Sequence, residues 1–230
     1  MSNLVSQLQL GKTTRVVGTI ITADHLRRWS AAPAPLPCDL VELRVDGFPE
    51  FDRWIEIGRH IEKAGTPVFA TIRSAREGGH WQSDEGKRRE LLESALETIS
   101  GIDIELNSEI ADALAQRARA SGKLCILSFH DFQRTPPRMD LEALLMRMQE
   151  SGSVAKIAAT ANSAADVETL RSLLAQPWKV PVCIIGMGAH GRETRLEFPR
   201  YGSCLTYGYL DTPGAPGQYS AAELWRHFRS

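Results

Sequence analysis

Leu40-Val41-Glu42-Leu43-Arg44-Val45-Asp46 alternates apolar and charged side chains without a break. Successive side chains of a β-strand point to opposite faces. Val41, Leu43 and Val45 therefore share one face, and Glu42, Arg44 and Asp46 share the other. The apolar set has to pack on helices, which turns two carboxylates and a guanidinium the opposite way. Around this stretch, strand and helix signals alternate along the whole chain. The expected strands are 15–22, 40–46, 68–73, 102–106, 124–130, 154–160, 180–187 and 204–210. Helical segments are expected near 52–64, 87–99, 141–149, 164–175, 193–201 and 221–228, with Asp24, Ser108 and Ser163 as N-caps. Eight strands, each followed by a helical segment, are the signature of a (β/α)8 TIM barrel. One domain over residues 1–230 is expected, with residues 1–14 as a short N-terminal hairpin or cap.

Composition narrows the function classes. The 230 residues carry a formal net charge of −1, so there is no basic footprint for nucleic acid or an anionic membrane. No apolar run approaches the roughly 18 residues that span a bilayer, and the first residues lack a signal-peptide pattern. Cys38, Cys125, Cys183 and Cys204 are scattered, with no CxxC pair, which argues against a disulfide framework or a zinc site and suits the cytoplasm.

The same parity rule applied to the other strands fills the barrel axis with charge. Asp103 and Glu105, Arg73, His130 and Lys156 join Glu42, Arg44 and Asp46 on the inner face. Branched apolar residues normally fill that space, and desolvating so many charges costs several kcal/mol per ion. A structural layer in which an arginine pairs with Asp103 and Glu105 accounts for some of them. A polar site at the strand ends accounts for the rest. Lys156 stands alone in the apolar run Val154–Thr160, where it reaches water, pairs with a carboxylate, or sits partly desolvated as an amine nucleophile. A lysine beside a histidine suits imine formation followed by proton transfer, the arginines an anionic substrate, and the carboxylates its hydroxyls. That is the chemistry of a lyase or aldolase.

These motifs resemble the type I 3-dehydroquinate dehydratases, the third enzymes of the shikimate pathway to chorismate and the aromatic amino acids. ELRVD at 42–46, RSAREGG at 73–79, IDIEL at 102–106, SFHDF at 128–132, AKIA at 155–158, MGxxG at 187–191 and APGQ at 215–218 carry the resemblance. It implies that Lys156 forms a Schiff base with the C3 ketone of 3-dehydroquinate. It makes His130 the base at C2 and the acid that expels the C1 hydroxyl, with Glu77 assisting. Asp131 matches a structural acid. Glu42, Arg44, Arg73, Arg195, Gln218 and, less specifically, Thr19 match substrate-binding positions. No metal or organic cofactor is implied, no nucleic-acid or membrane partner, and the family suggests a homodimer. Two positions depart from the family: Gly214 replaces a serine in the closing loop, and Thr194 replaces a serine before Arg195.

Three other readings compete. Another class I Schiff-base lyase or aldolase would share Lys156 but not the Glu42–Arg44–Arg195–Gln218 set. A non-catalytic or weakly active barrel has only Gly214 in its favour. Gly186-x-Gly188-x-x-Gly191, with Asp211 twenty residues on, has the formal marks of a dinucleotide fingerprint, but only one strand follows it. Those glycines are expected instead to let the backbone approach an anion. His25, His60 and His227 are expected on helices in solvated or capping roles; His80 and His190 fall in loops near the barrel mouth.

Overall fold

The computed structural model describes residues 4–30, 36–48, 52–210, 212–214 and 218–229. Eight strands, β1 (Arg15–Ile20), β2 (Leu40–Arg44), β3 (Val68–Thr71), β4 (Gly101–Glu105), β5 (Leu124–Asp131), β6 (Val154–Thr160), β7 (Val182–Met187) and β8 (Leu205–Tyr209), form one parallel sheet. Its order is β7-β6-β5-β4-β3-β2-β1-β8. Around it lie α2 (Ala23–Ser30), α3 (Trp54–Lys63), α4 (Glu85–Thr98), α5 (Ala111–Ala120), α6 (Arg138–Ser151), α7 (Ala164–Ser172) and α10 (Ala221–Arg229). This is the expected barrel. No helix among the described residues is long and apolar enough to cross a membrane.

Several element ends differ from expectation, and Ser108 is not the cap of α5, whose N-cap is Ile110. β3 stops at Thr71 because the Arg73 N–H goes to the Asp46 carboxylate at 3.1 Å instead of a neighbouring strand. α4 starts at Glu85, two residues early, because Asp84 accepts the N–H groups of Gly86 and Lys87 at 2.8 and 3.1 Å. Asp24 is not the cap of α2: it sits inside the helix, paired with Arg27, and the Thr22 hydroxyl accepts the His25 N–H at 3.3 Å. The helix expected over 193–201 is instead the short α9 (Thr194–Glu197) and a 3-10 turn at Phe198–Tyr201, where Pro199 has no N–H to continue an α-helix, and a separate turn of helix, α8 (Gly188–Gly191), precedes it. The N-terminal segment is a cap and not a hairpin. Its short helix α1 (Leu4–Gln7) leads to Leu8, which is buried against the barrel's inner apolar cluster.

The parity of the strands holds throughout. Val41, Leu43, Val68, Ala70, Ile102, Ile104, Ala155 and Ile157 belong to the core between sheet and helices. Val17, Leu40, Phe69, Ile126, Val154, Cys183 and Tyr207 belong to a separate core inside the barrel. In a barrel of shear 8, a residue is level with the one found two strands on and two residues up. Glu42 pairs through Phe69 with Gly101, so it is level with Asp103. Asp103 pairs through Ile126 with Val154, so it is level with Lys156. Tyr207 pairs through Val17 with Leu40, and so returns to Glu42. Glu42, Asp103, Lys156 and Tyr207 thus form one interior layer. Below it lie Val17, Phe69, Ile126 and Cys183, and above it Thr19, Thr71, Ser128 and Ile185.

One junction of the barrel is not a ladder. β7 and β8 form no ladder; one backbone bond and several side chains stitch them together. The Cys204 N–H reaches the Val182 carbonyl at 2.8 Å, and the Ser203 hydroxyl accepts the Ile184 N–H at 3.1 Å. Higher up, the Thr194 hydroxyl accepts the Gly186 N–H at 3.0 Å. Ser203→Ala should leave the buried Ile184 N–H unpaired, at a cost of about 1–3 kcal/mol. For a chain this long that lowers Tm by roughly 2–4 °C per kcal/mol. An unchanged melting midpoint would show that the seam does not depend on this hydroxyl.

Candidate active site

At the C-terminal ends of the strands lies a cavity of about 620 Å3. All nine residues singled out from the sequence, Thr19, Glu42, Arg44, Arg73, Glu77, His130, Lys156, Arg195 and Gln218, line it. Asp46, which strand parity also turns inward, faces it too, as do Phe132, Met187, Tyr207 and Tyr209, which the sequence did not single out.

The floor is the polar layer. Lys156 is buried, and its Nζ donates to Asp103 Oδ2 at 2.9 Å. Asp103 Oδ1 accepts from the Ser128 hydroxyl at 2.6 Å and from Arg73 Nη2 at 2.7 Å. Burial works against the charge of Asp103, but Arg73 and Lys156 outweigh it and hold the carboxyl well below its usual range. Arg73 also donates to Ser128 at 2.9 Å and pairs with Glu105 at 3.2 Å. Glu105 in turn meets Arg88, a fully buried arginine of α4 that also donates to the Ile72 carbonyl at 2.9 Å. The arginine pairing with Asp103 and Glu105 expected from the sequence is therefore present, and it shares its members with the cavity wall. Glu42 accepts from Thr19 at 3.0 Å and from Thr71 at 2.8 Å.

Above the floor, His130 Nδ1 lies 3.0 Å from Glu77 Oε2, and the same oxygen accepts the His130 backbone N–H at 2.9 Å. Glu77 reaches this position through a tight turn. Gly78 has φ +75°, and a Cβ there would lie 2.3 Å from the Phe132 ring; one on Gly79 would lie 2.0 Å from the Arg73 carbonyl. Burial, with Arg73 and Lys156 adding positive charge, holds the imidazole pKa well below 6.5. His130 is therefore neutral at physiological pH. With Nδ1–H directed at Glu77, its Nε2 lone pair is left to act as a base. Burial also raises the Glu77 pKa from 4.5 to about 7.

The rim supplies positive charge. Arg44 is held in a bidentate pair by Asp46, at 3.1 and 2.9 Å. Asp46 also accepts the N–H groups of Arg73 and His80. Arg195 donates from Nη1 to the Gly186 carbonyl at 3.1 Å, while its buried Nε finds no partner among the described residues. Burial pushes the Arg195 pKa down, as expected for a cation that lacks a carboxylate. Gln218 Oε1 accepts the Gly214 N–H at 2.9 Å.

Several secondary expectations also resolve. Asp131 accepts the N–H groups of Gln133 and Arg134, a turn-forming role. Thr194 keeps the hydroxyl of the serine it replaces, donating to the Gly191 carbonyl at 2.6 Å. The glycines at 186 and 191 are required by close packing: a Cβ on Gly191 would sit 2.3 Å from the Gly186 carbonyl carbon. That contact by itself accounts for both glycines; Asp211 lies outside the described residues, as do residues 215–217 of the APGQ motif. His25 is buried and not solvated, His60, His190 and His227 are exposed, and His80 lies at the cavity rim.

Comparison with known proteins identifies the family. The type I 3-dehydroquinase family model covers residues 19–230. The chain belongs to the type I 3-dehydroquinase family. The 3-dehydroquinate dehydratase of Methanosarcina barkeri is 35% identical, over 96% of both chains, and that of Methanothermobacter thermautotrophicus is 37% identical, over 86% of this chain and 87% of its own. The type I enzyme of Clostridium difficile, solved with covalently modified comenic acid, superposes with a TM-score of 0.84 at 27% identity, covering 96% of this chain and 93% of its own. The Aquifex aeolicus enzyme superposes with a TM-score of 0.77 at 29% identity, over 92% and 96% of the two chains.

In this dehydroquinase the raised Glu77 carboxyl has a thermodynamic signature. Below pH 4.5 the carboxyl is protonated in both the folded and the unfolded chain, and the fold carries no penalty. Between 4.5 and about 7 the unfolded chain releases its proton first, so stability falls as pH rises. Above 7 the loss is constant at about 3 kcal/mol. Glu77→Gln should therefore be more stable than wild type at pH 8 and closely matched at pH 4.5. Urea denaturation at the two pH values tests this; an equal offset at both would contradict it.

Proposed function

We infer that this chain is a hydro-lyase that removes water from 3-dehydroquinate to give 3-dehydroshikimate, with Lys156 as the imine-forming amine. The observation that carries the reading is the Lys156–Asp103 pair, at 2.9 Å on the floor of a cavity whose wall holds neutral His130. Lys156 Nζ, having passed a proton to His130, attacks the C3 ketone; the carbonyl oxygen takes one proton from the nitrogen and regains the other from His130, and leaves as water as the C=N bond forms. The iminium draws electrons from the adjacent C–H, and His130 takes the C2 proton. The resulting enamine expels the C1 hydroxyl, which leaves as a second water on taking a proton from His130. Hydrolysis of the product imine consumes one water and restores Lys156, so the net loss is one water. Glu77 orients the imidazole throughout.

The remaining wall supports substrate recognition. Arg195, with a buried Nε that no described residue engages, is suited to the ring carboxylate. Glu42, Arg44, Gln218 and Thr19 offer hydrogen bonds to ring hydroxyls. Arg73, committed to Asp103, Ser128 and Glu105, adds its positive charge from below. An aldolase would have no use for this whole set on one cavity. The reading extends to a single-domain homodimer working in the cytoplasm, where four free, buried cysteines stay reduced. Light scattering of the purified protein would test the dimer.

Incubation with 3-dehydroquinate and borohydride should add one substrate-derived mass at Lys156, located by peptide mapping. Lys156→Ala should show neither the adduct nor turnover. Absence of an adduct on the wild-type protein, together with no rise in enone absorbance without borohydride, would rule the reading out. Gly214→Ser should restore the closing-loop hydroxyl: a Cβ at Gly214 makes only ordinary contacts, 3.5 Å to Gln218 and 3.8 Å to Ile21. One neutral hydrogen bond of about 0.5–1.5 kcal/mol lowers KM roughly 2- to 10-fold. An unchanged or higher KM would mean that the loop does not bind through this position.

A further inference from the structure

Tyr207, the fourth member of the polar layer, carries a buried hydroxyl with no hydrogen-bond partner among the described residues. Buried polar atoms in folded proteins are almost always paired. The layer explains why this one is not. Glu42 is engaged by Thr19 and Thr71, and Asp103 by Ser128, Arg73 and Lys156. In the tier above, β7 contributes Ile185 where the other odd-numbered strands contribute hydroxyls. From below, the Cys183 thiol is directed at the Leu205 carbonyl at 3.4 Å.

Two further observations relate the phenol to chemistry. Tyr207 lines the cavity, and Lys156 Nζ sits over its ring, 4.5 Å from the centroid. Burial raises the phenol well above its ordinary pKa, so it remains a proton-bearing donor across the working pH range. A ketone poised for attack has its carbon about 3–3.5 Å from the amine nitrogen. With the C=O bond turned toward Tyr207, its oxygen lies beside the ring that the amine already touches.

We propose that Tyr207 is a catalytic residue whose hydroxyl donates a hydrogen bond to the substrate ketone oxygen as Lys156 attacks the carbonyl carbon. This rests on the imine reading given above. As the C–N bond forms, the C=O π pair moves onto oxygen, and a fixed donor there stabilises the charge where it develops. The tyrosine keeps its proton. The oxygen takes one proton from the attacking nitrogen and one from His130, which received it when Lys156 was deprotonated, and departs as water when the nitrogen lone pair closes the C=N bond. The unpaired hydroxyl in the free protein is thus a donor preorganised for a partner that arrives with the substrate.

Tyr207→Phe removes only the hydroxyl. Quenching with borohydride at timed intervals should show the Lys156 adduct forming at least tenfold more slowly than in wild type, with kcat/KM reduced in step. Thermal stability should not fall, since a buried unpaired donor is lost. Binding of a cyclohexene carboxylate that lacks the ketone, read by thermal shift, should be unchanged. Adduct formation within twofold of wild type would overturn the proposal while leaving the imine reading intact. Failure of the wild-type protein itself to form the adduct would overturn both.

Discussion

A carboxylate shared between two cations at the barrel axis holds the molecule's chemistry together. Asp103 is fully buried and could not be ionised there alone. Lys156 on one oxygen, with Arg73 and Ser128 on the other, make its charge sustainable and in return are fixed by it. Removing either cation would leave buried negative charge uncompensated. The pairing then extends outward from Arg73 to Glu105 and from Glu105 to Arg88, which enters from helix α4. The orientation of one amine is thereby coupled to the packing of the outer helix layer.

The same enclosure drives two carboxyls in opposite directions. Asp103, among cations, is held far below its usual range, while Glu77, a layer higher and facing an imidazole that burial keeps neutral, rises to about 7. The separation matches the division of labour in the proposed reaction: a permanent anion that steadies Lys156, and a titrating group that orients His130. It also explains why so polar an interior is compatible with a stable fold. The charges near the floor neutralise one another, and the apolar tier of Val17, Phe69, Ile126 and Cys183 lies immediately beneath them.

Much of this was legible in the sequence because strand parity is a two-valued rule. LVELRVD and IDIEL can place their charges only inside the barrel, and every inward residue anticipated from β2 to β6 lies there. Tyr207 was legible by the same rule, since LTYGY puts Leu205, Tyr207 and Tyr209 on one face. It escaped notice because an aromatic residue on a strand reads as ordinary core. Arg88 could not be anticipated. A helical arginine normally reaches solvent, and only the tertiary position of Glu105 draws this one inward. The broken helix after β7 and the unpaired β7–β8 junction were hidden for a related reason: side-chain bonds from Ser203 and Thr194 replace a ladder that no periodicity reports.

That junction gives Arg195 a double duty. A strand whose backbone groups lack a neighbour is a template on which another chain can pair. On β7 the exposed groups are taken instead by Ser203 at Ile184, by Thr194 at the Gly186 N–H and by Arg195 at the Gly186 carbonyl. The residue that presents a cation to the cavity therefore also helps to blunt a sheet edge. An uncharged replacement at 195 would withdraw positive charge from the cavity and uncover a carbonyl at the barrel's weakest join, so impaired binding and a tendency to self-associate would arise from a single change.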